Sequence, residues 1–149
     1  MLNIGDRAPD FTLTDQDGQT VTLAGLIGDG DLVLYFYPAD FTPVCTREAC
    51  VFRDHHAALA DRGVRVVGVS PQSATSHQRF RETYALPFRL LCDEKKSVIR
   101  AFGVDGPLGF GVRRATFLIG RDGTIRNRAV ADIFLGDHQA LIDAALAGR

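Results

Sequence analysis

The stretch Leu32-Val-Leu-Tyr-Phe-Tyr37 decides the fold of this chain. Two Gly-Asp pairs precede this apolar run and Pro38 follows it, which is typical of a β-strand buried on both faces. Beyond Pro38 the apolar residues recur at spacings of 4, 3, 4 and 3, which predicts a helix with one buried face. The residues on that face are Cys45, Ala49, Phe52, His56 and Leu59, and Gly63 ends the helix. A second apolar run at residues 65–70 predicts another buried strand, which completes a right-handed βαβ unit.

The segments on either side of this unit predict the rest of one domain. They are strands at 11–14 and 20–23 around Asp15-Gln-Asp-Gly18, a helix at 73–84 capped by Ser73 or Ser76, a shorter helix at 93–102 with Val98, Ile99 and Phe102 inside, strands at 115–119 and 124–130 joined through Arg121-Asp122-Gly123, and a last helix from near Asp137 with Gly148 after it. A βαβ half followed by a ββα half is the thioredoxin arrangement. We therefore expect a single domain over residues 1–149 of the α/β class, thioredoxin-like, with a central mixed β-sheet flanked by helices and an N-terminal β-hairpin.

Composition and charge exclude several classes of partner. The 149 residues carry 17 Lys and Arg against 18 Asp and Glu, a net charge of -1, so we expect neither a nucleic-acid nor a membrane partner. The N-terminus lacks the basic and apolar regions of a signal peptide, so we expect a cytoplasmic protein. Three cysteines make a poor disulfide framework, and in a reducing compartment they are better interpreted as reactive, metal-binding or buried.

Cys45 occupies the position in the predicted fold that favours chemistry. It lies just beyond the carboxyl end of a buried strand and in the first turn of a helix, where ligand sites of α/β sheets are usually found. The unpaired backbone N–H groups and the positive end of the helix dipole stabilise the thiolate, which is the nucleophilic form. Cys50 and His55 follow on the same helix at mismatched angles, so we expect no metal site there.

The motif around this cysteine resembles that of the peroxiredoxins. The match is Pro38-x-x-x-Thr42-x-x-Cys45, and with Cys50 five residues later the short chain most resembles the bacterioferritin comigratory protein (Q-type) subgroup. Three further matches extend over nearly the whole chain. They are Gly5-Asp6-x-Ala-Pro9-Asp-Phe11, Leu90-Leu91-x-Asp93 and Arg114-x-Thr116-Phe117-Leu118-Ile119.

The resemblance implies a peroxidase that acts on hydrogen peroxide and organic hydroperoxides. Cys45 would attack the peroxide and become a sulfenic acid, Thr42 would contact the peroxide oxygens, and Pro38 would shield the thiolate. Arg114 would hold the thiolate and the charge that develops on the departing oxygen. Cys50 would resolve the sulfenic acid as an intramolecular disulfide, which thioredoxin or a similar dithiol protein would reduce. The chemistry requires no cofactor and no metal.

Helix geometry adds a condition to the resolving step. Residues five apart on a helix have Cα atoms roughly 8–9 Å apart, whereas a disulfide allows about 7 Å at most. The start of the helix must therefore unwind before Cys45 and Cys50 can join. Cys92 remains an alternative resolving residue, although its apolar neighbours favour a buried bystander. Arg113 likewise remains an alternative to Arg114, since adjacent strand residues point to opposite faces.

Two other functions and several properties stay open at this level. A thioredoxin-like disulfide oxidoreductase would need a Cys-x-x-Cys pair, which the chain lacks. A redox-sensing adaptor would use the same helix unwinding without turnover. Nothing demands a dimer for resolution, so we expect a monomer. The apolar side chains of Phe41, Leu108 and Phe110 are candidates for the mouth of the site and would favour a bulky hydroperoxide.

Overall fold

A mixed sheet forms the centre of the molecule. The computed structural model describes residues 1–130 and 136–147. Its elements are β1 (Thr12–Asp15), β2 (Thr20–Thr22), α1 (Leu23–Leu26), β3 (Leu32–Phe36), α2 (Pro43–Asp61), β4 (Arg65–Ser70), α3 (Ala74–Tyr84), β5 (Arg89–Cys92), α4 (Ser97–Ala101), a 3₁₀ turn (Pro107–Gly109), β6 (Ala115–Ile119), β7 (Ile125–Val130) and α5 (Gly136–Leu146). The described strands join in the order β2-β1-β5-β4-β3-β6-β7.

The strand directions confirm the predicted fold class. β3 pairs in parallel with β4, and β4 with β5. The N-terminal hairpin of β1 and β2 and the later hairpin of β6 and β7 are both antiparallel, as expected. β6 also pairs antiparallel with β3, where Phe36 lies opposite Ala115. Because of this pairing, the residues just before β6 lie at the same end of the sheet as the carboxyl end of β3.

Two local predictions need correction, and one open alternative is settled. β5 was not among the predicted strands, because its four residues form a run too short to stand out by periodicity. The helix expected over 93–102 is limited to α4, since Asp93 accepts from the backbone of Ile99 and Lys96 adopts a left-handed φ of 60°. Between the two proposed caps of α3, Ser73 is the N-cap, and its hydroxyl accepts from the backbone of Ser76. The last helix begins at Gly136, near the predicted start, whereas Gly148 lies outside the described residues.

The core consists of two apolar layers, one on each face of the sheet. Alternate residues of β3 divide between them, so this strand is buried on both faces as its sequence predicts. Side chains of α1 and α4 cover one face, whereas those of α2, α3 and α5 cover the other. Gly68 in β4 makes room for an aromatic ring, because a Cβ atom there would lie 2.8 Å from the ring of Tyr35.

In the part of the chain that the structure describes, every helix is too short or too polar to cross a lipid bilayer.

Candidate active site

A short loop links the carboxyl end of β3 to the first turn of α2. Thr42 is the N-cap residue of α2, with extended backbone, and Pro43 occupies the first helical turn. Proline is well suited there, because first-turn N–H groups have no partner within the helix. Cys45 follows in the same turn and is 1% exposed. The sequence therefore placed the thiol correctly, beside unpaired N–H groups at the positive end of a helix.

The Thr42 side chain does not cap the helix. Its hydroxyl donates instead to the backbone carbonyl of Ala39 at 3.1 Å, which closes the loop on itself. Thr42 and Pro38 are both half-buried in this loop. Thr42 is thus the N-cap residue by its position, while its side chain is used within the loop.

Arg114 reaches the thiol from the segment just before β6. Its Nη1 atom donates to Sγ of Cys45 at 3.0 Å and to Oε1 of Glu48 at 3.4 Å. Arg113, the alternative left open by the sequence, is exposed. The structure thus brings together Arg114 and Cys45, which are 69 residues apart in the chain.

The buried Arg114 and Glu48 are the charged side chains beside the thiol. Burial lowers the pKa of Arg114, but its hydrogen bond with Cys45 and the nearby charge of Glu48 outweigh that effect and hold the pKa above its ordinary value. The arginine therefore stays cationic at any working pH. A cation at hydrogen-bonding distance favours the thiolate of Cys45 and can also stabilise negative charge that develops beside it.

Glu48 is a site residue to which the sequence analysis gives no role. It is buried on α2 and forms an ion pair with Arg114. A signal was present, since Glu48 lies three residues after Cys45 and hence on the same side of the helix. A glutamate in a helix is nevertheless usually exposed to solvent. The neighbouring Arg47 is indeed exposed.

Cys50 lies on the same helix as Cys45, and all three cysteines are free thiols. The Cys50 residue is half-buried. The intact helix holds the Cα atoms of residues five apart at roughly 8–9 Å, so this conformation does not allow a disulfide between Cys45 and Cys50. The structure has the geometry from which the predicted unwinding would start.

Cys92 occupies a different environment at the end of β5. Its Sγ lies 3.8 Å from the carbonyl oxygen of Asp15 in β1. Burial, assisted by the negative charges of Glu94, Asp40 and Asp15, raises the pKa of the Cys92 thiol to about 11. Cys92 is therefore a neutral thiol at physiological pH, which supports its interpretation as a bystander.

A second buried network holds the loop from the side of α3. The carboxylate of Asp40 accepts from the hydroxyls of Tyr37 and Ser76 and contacts Nδ1 of His77 at 2.8 Å. Burial raises the pKa of Tyr37 well above its ordinary value, so its hydroxyl remains a donor. Sequence reasoning found none of these contacts, because they join residues that are up to 37 positions apart.

The three apolar side chains proposed for the mouth of the site are all exposed. Phe41 packs its ring against Phe80 of α3, with ring centroids 5.2 Å apart. Leu108 and Phe110 are 95% and 78% exposed on the segment that leads to Arg114. A role for them in substrate choice stays a prediction.

Among residues 1–130 and 136–147, no group of three or more His, Cys, Asp or Glu side chains is arranged to hold a metal ion.

Comparisons with known proteins agree with this chemistry. The AhpC/TSA family model matches residues 4–128. Peroxiredoxin Bcp of Bacillus subtilis (strain 168) is 42% identical over 130 residues, which is 83% of this chain and 82% of the relative. The solved structure of peroxidoxin BcpB from Mycobacterium tuberculosis has a TM-score of 0.91 and 35% identity, covering 99% of this chain and 97% of that one.

A further solved structure concerns the alkyl peroxide reduction activity of the Xanthomonas campestris bacterioferritin comigratory protein. It has a TM-score of 0.85 and 29% identity, and the match covers 93% of this chain and 92% of that one.

Proposed function

Because this chain belongs to the AhpC/TSA family and is a thiol peroxidase, we propose that Cys45 is the residue that attacks the peroxide. The observation that carries the assignment is the 3.0 Å contact between Arg114 Nη1 and Cys45 Sγ at the start of α2. Among the described residues, neither Cys50 nor Cys92 accepts a hydrogen bond from a cationic side chain, and Arg53 acts on Cys50 through its charge alone. Cys92 is in addition held as a neutral thiol.

The first step transfers one oxygen atom to sulfur. The Cys45 thiolate attacks the terminal peroxide oxygen, an S–O bond forms and the O–O bond breaks. The remaining oxygen leaves as an alcohol or water after taking up a proton, and Cys45 becomes a sulfenic acid. Arg114 stabilises first the thiolate and then the negative charge on the departing oxygen. Thr42 and Pro38, which form the loop before the helix, shape the space that the peroxide enters.

The second step returns the enzyme toward its reduced form. After the start of α2 unwinds, the Cys50 thiol attacks the sulfenic sulfur, a disulfide forms and water leaves. A dithiol protein of the thioredoxin type then reduces the disulfide. We propose Cys50 as the resolving residue because it shares α2 with Cys45, so that unwinding of a few turns suffices to bring the two sulfur atoms together.

Substrate, partners and location complete the proposal. The activity named for the Xanthomonas campestris relative supports organic hydroperoxides as substrates beside hydrogen peroxide. A monomer suffices for both steps, because the two proposed redox cysteines belong to one helix. The need for a dithiol reductant is met in the cytoplasm, where thiols are kept reduced.

Peptide mass mapping tests the proposal directly. The reduced protein is treated with one equivalent of hydrogen peroxide, the free thiols are blocked, and the peptides are analysed. We expect a Cys45–Cys50 disulfide with Cys92 free. A Cys45–Cys92 disulfide would move the resolving role to Cys92. An unoxidised Cys45 would contradict the assignment of the nucleophile.

A further inference from the structure

The loop before Cys45 is tied to α3 and β5 through one buried carboxylate. Asp40 Oδ1 accepts from the Tyr37 hydroxyl at 2.6 Å, and Oδ2 accepts from the Ser76 hydroxyl at 2.7 Å. The same Oδ2 lies 2.8 Å from Nδ1 of His77, whose Nε2 lies 3.0 Å from the carbonyl oxygen of Leu91. The side chains of Asp40 and His77 are both fully buried.

The contacts of His77 define where its protons are. A carbonyl oxygen can only accept, so Nε2 carries a proton that it donates to Leu91. The contact between Nδ1 and the Asp40 carboxyl group then needs one further proton, because two facing lone pairs would repel each other in a dry interior. A buried hydrogen bond thus joins Nδ1 of His77 to Asp40, and a buried polar group that loses such a bond is costly to leave unpaired.

The loop that this pair holds is strained. Phe41, next to Asp40, has a φ of +67°, a left-handed conformation that costs a residue with a side chain about 1 kcal/mol or more. Its ring lies 5.2 Å from that of Phe80 and 6.2 Å from that of Tyr84, both on α3. The bond from Thr42 to Ala39 closes the turn. Such a conformation persists only where its surroundings hold it, and here α3 supplies the contacts.

We propose that Asp40 and His77 are positioning residues that hold the loop in the conformation in which α2 begins at Pro43. They thereby favour the folded helix start, in which Cys45 meets Arg114, over the unwound form that a Cys45–Cys50 disulfide requires. This inference rests on the proposed function. It adds that the pair sets the balance between reaction with peroxide and resolution, although neither residue contacts the thiol in the structure.

Hydrogen exchange of the reduced protein tests the positioning role of Asp40 and His77 without any peroxide. The test variant is His77→Leu, which removes both donors, and the conservative variant is Asp40→Asn, whose amide can donate to Nδ1 of a neutral His77. We expect amides of residues 46–50 to exchange about tenfold faster in H77L, the effect of leaving one buried polar group without its hydrogen bond. D40N should stay within about threefold of the wild type, since its amide preserves the bond.

Two further variants keep the test interpretable. Ser76→Ala removes a single half-buried donor to Asp40 and should speed the same amides by a few-fold, even where H77L does not fold. Val98→Ala is the matched control, because it removes methyl groups from the core on the other face of the sheet. It should lower the thermal midpoint without changing exchange at 46–50 relative to the other helices.

The chemical readout is the partition of oxidised Cys45 at a fixed excess of peroxide. In H77L we expect faster disulfide formation and several-fold less sulfinic acid, while V98A keeps the wild-type partition. The proposed positioning role would be overturned if folded H77L and S76A kept the wild-type amide exchange at residues 46–50 and the wild-type partition of oxidised Cys45. Failure of the proposed function would look different, since the wild type itself would then form neither a disulfide nor a sulfinic acid at Cys45.

Discussion

Replacing Arg114 by glutamine should slow the reaction with peroxide by a factor of about 10²–10³. The substitution removes a cationic donor that lies 3.0 Å from the Cys45 sulfur, in a buried setting where Cys45 is 1% exposed. Loss of one fixed donor aimed at developing negative charge typically costs a rate factor of this size, about 3–4 kcal/mol.

Glu48 adds to the effect of this substitution. In the wild type its carboxylate lies 3.4 Å from the Arg114 guanidinium. In R114Q that negative charge stays buried near the thiol without this cation, which disfavours the thiolate further. Arg114→Lys keeps the charge but loses the planar fork, so we expect an intermediate loss of about tenfold. The double variant with Glu48→Gln should recover part of the rate lost in R114Q.

The assay is the second-order rate constant of the reduced enzyme with hydrogen peroxide, measured by competition with a second peroxidase. Arg113→Gln is the matched control, because it removes the same charge from the adjacent exposed residue. It should change the rate by no more than about twofold to threefold. An R114Q rate within threefold of the wild type would refute the reasoning, as would an R113Q loss as large as that of R114Q. Thermal midpoints of each variant show whether it is folded.

Three further predictions concern resolution, ionisation and packing. Cys50→Ser should keep the first reaction with peroxide but stop steady-state turnover, with Cys45 accumulating as sulfenic and sulfinic acid by mass spectrometry; a Cys50→Ser enzyme with full turnover would exclude Cys50 as the resolving residue. Cys92 should resist alkylation by iodoacetamide until the pH approaches about 11, because burial raises its pKa to about 11. An unfolded thiol ionises near pH 8.5, so between about pH 8.5 and 11 the folded state retains a proton that the unfolded state has released. The stability contributed by this group therefore falls as the pH rises through that range. Rapid alkylation of Cys92 at neutral pH would contradict the raised pKa. Gly68→Ala should lower the free energy of unfolding by about 1–3 kcal/mol in urea, because the tyrosine ring leaves no room for a methyl group, whereas Gly28→Ala, whose nearest neighbour would be 3.7 Å away, should cost less than 1 kcal/mol.

The Asp40–His77 pair and the Arg114–Cys45 contact have different proposed roles. Arg114 acts on the sulfur directly, so its loss should appear in the rate with peroxide. Asp40 and His77 act on the loop, so their loss should appear in the balance between resolution and over-oxidation. The two kinds of variant therefore have distinct kinetic effects, which makes the separate roles testable in one series of measurements.

Local patterns in the sequence predicted much of this architecture. The apolar run at 32–37, the change to helical spacing after Pro38 and the turn residues of both hairpins place β3, α2 and the hairpin strands close to their observed bounds. These features depend on the period of side chains along a strand or a helix, which is written in neighbouring residues. The same reasoning missed β5, whose short run carries no clear period.

The sequence by itself determined that a thiol would sit at the start of a helix beyond a buried strand, since both features follow from residues 32–59. Only the tertiary structure decided which arginine meets that thiol, that Glu48 is buried beside it, and that His77 contacts Asp40. These contacts depend on the order of the strands. β6 lies beside β3, which brings Arg114 to Cys45 across 69 residues of chain, and β5 lies beside β4, which places the Leu91 carbonyl under His77. Strand order results from the packing of the whole core, so it cannot be deduced from the period of any one segment.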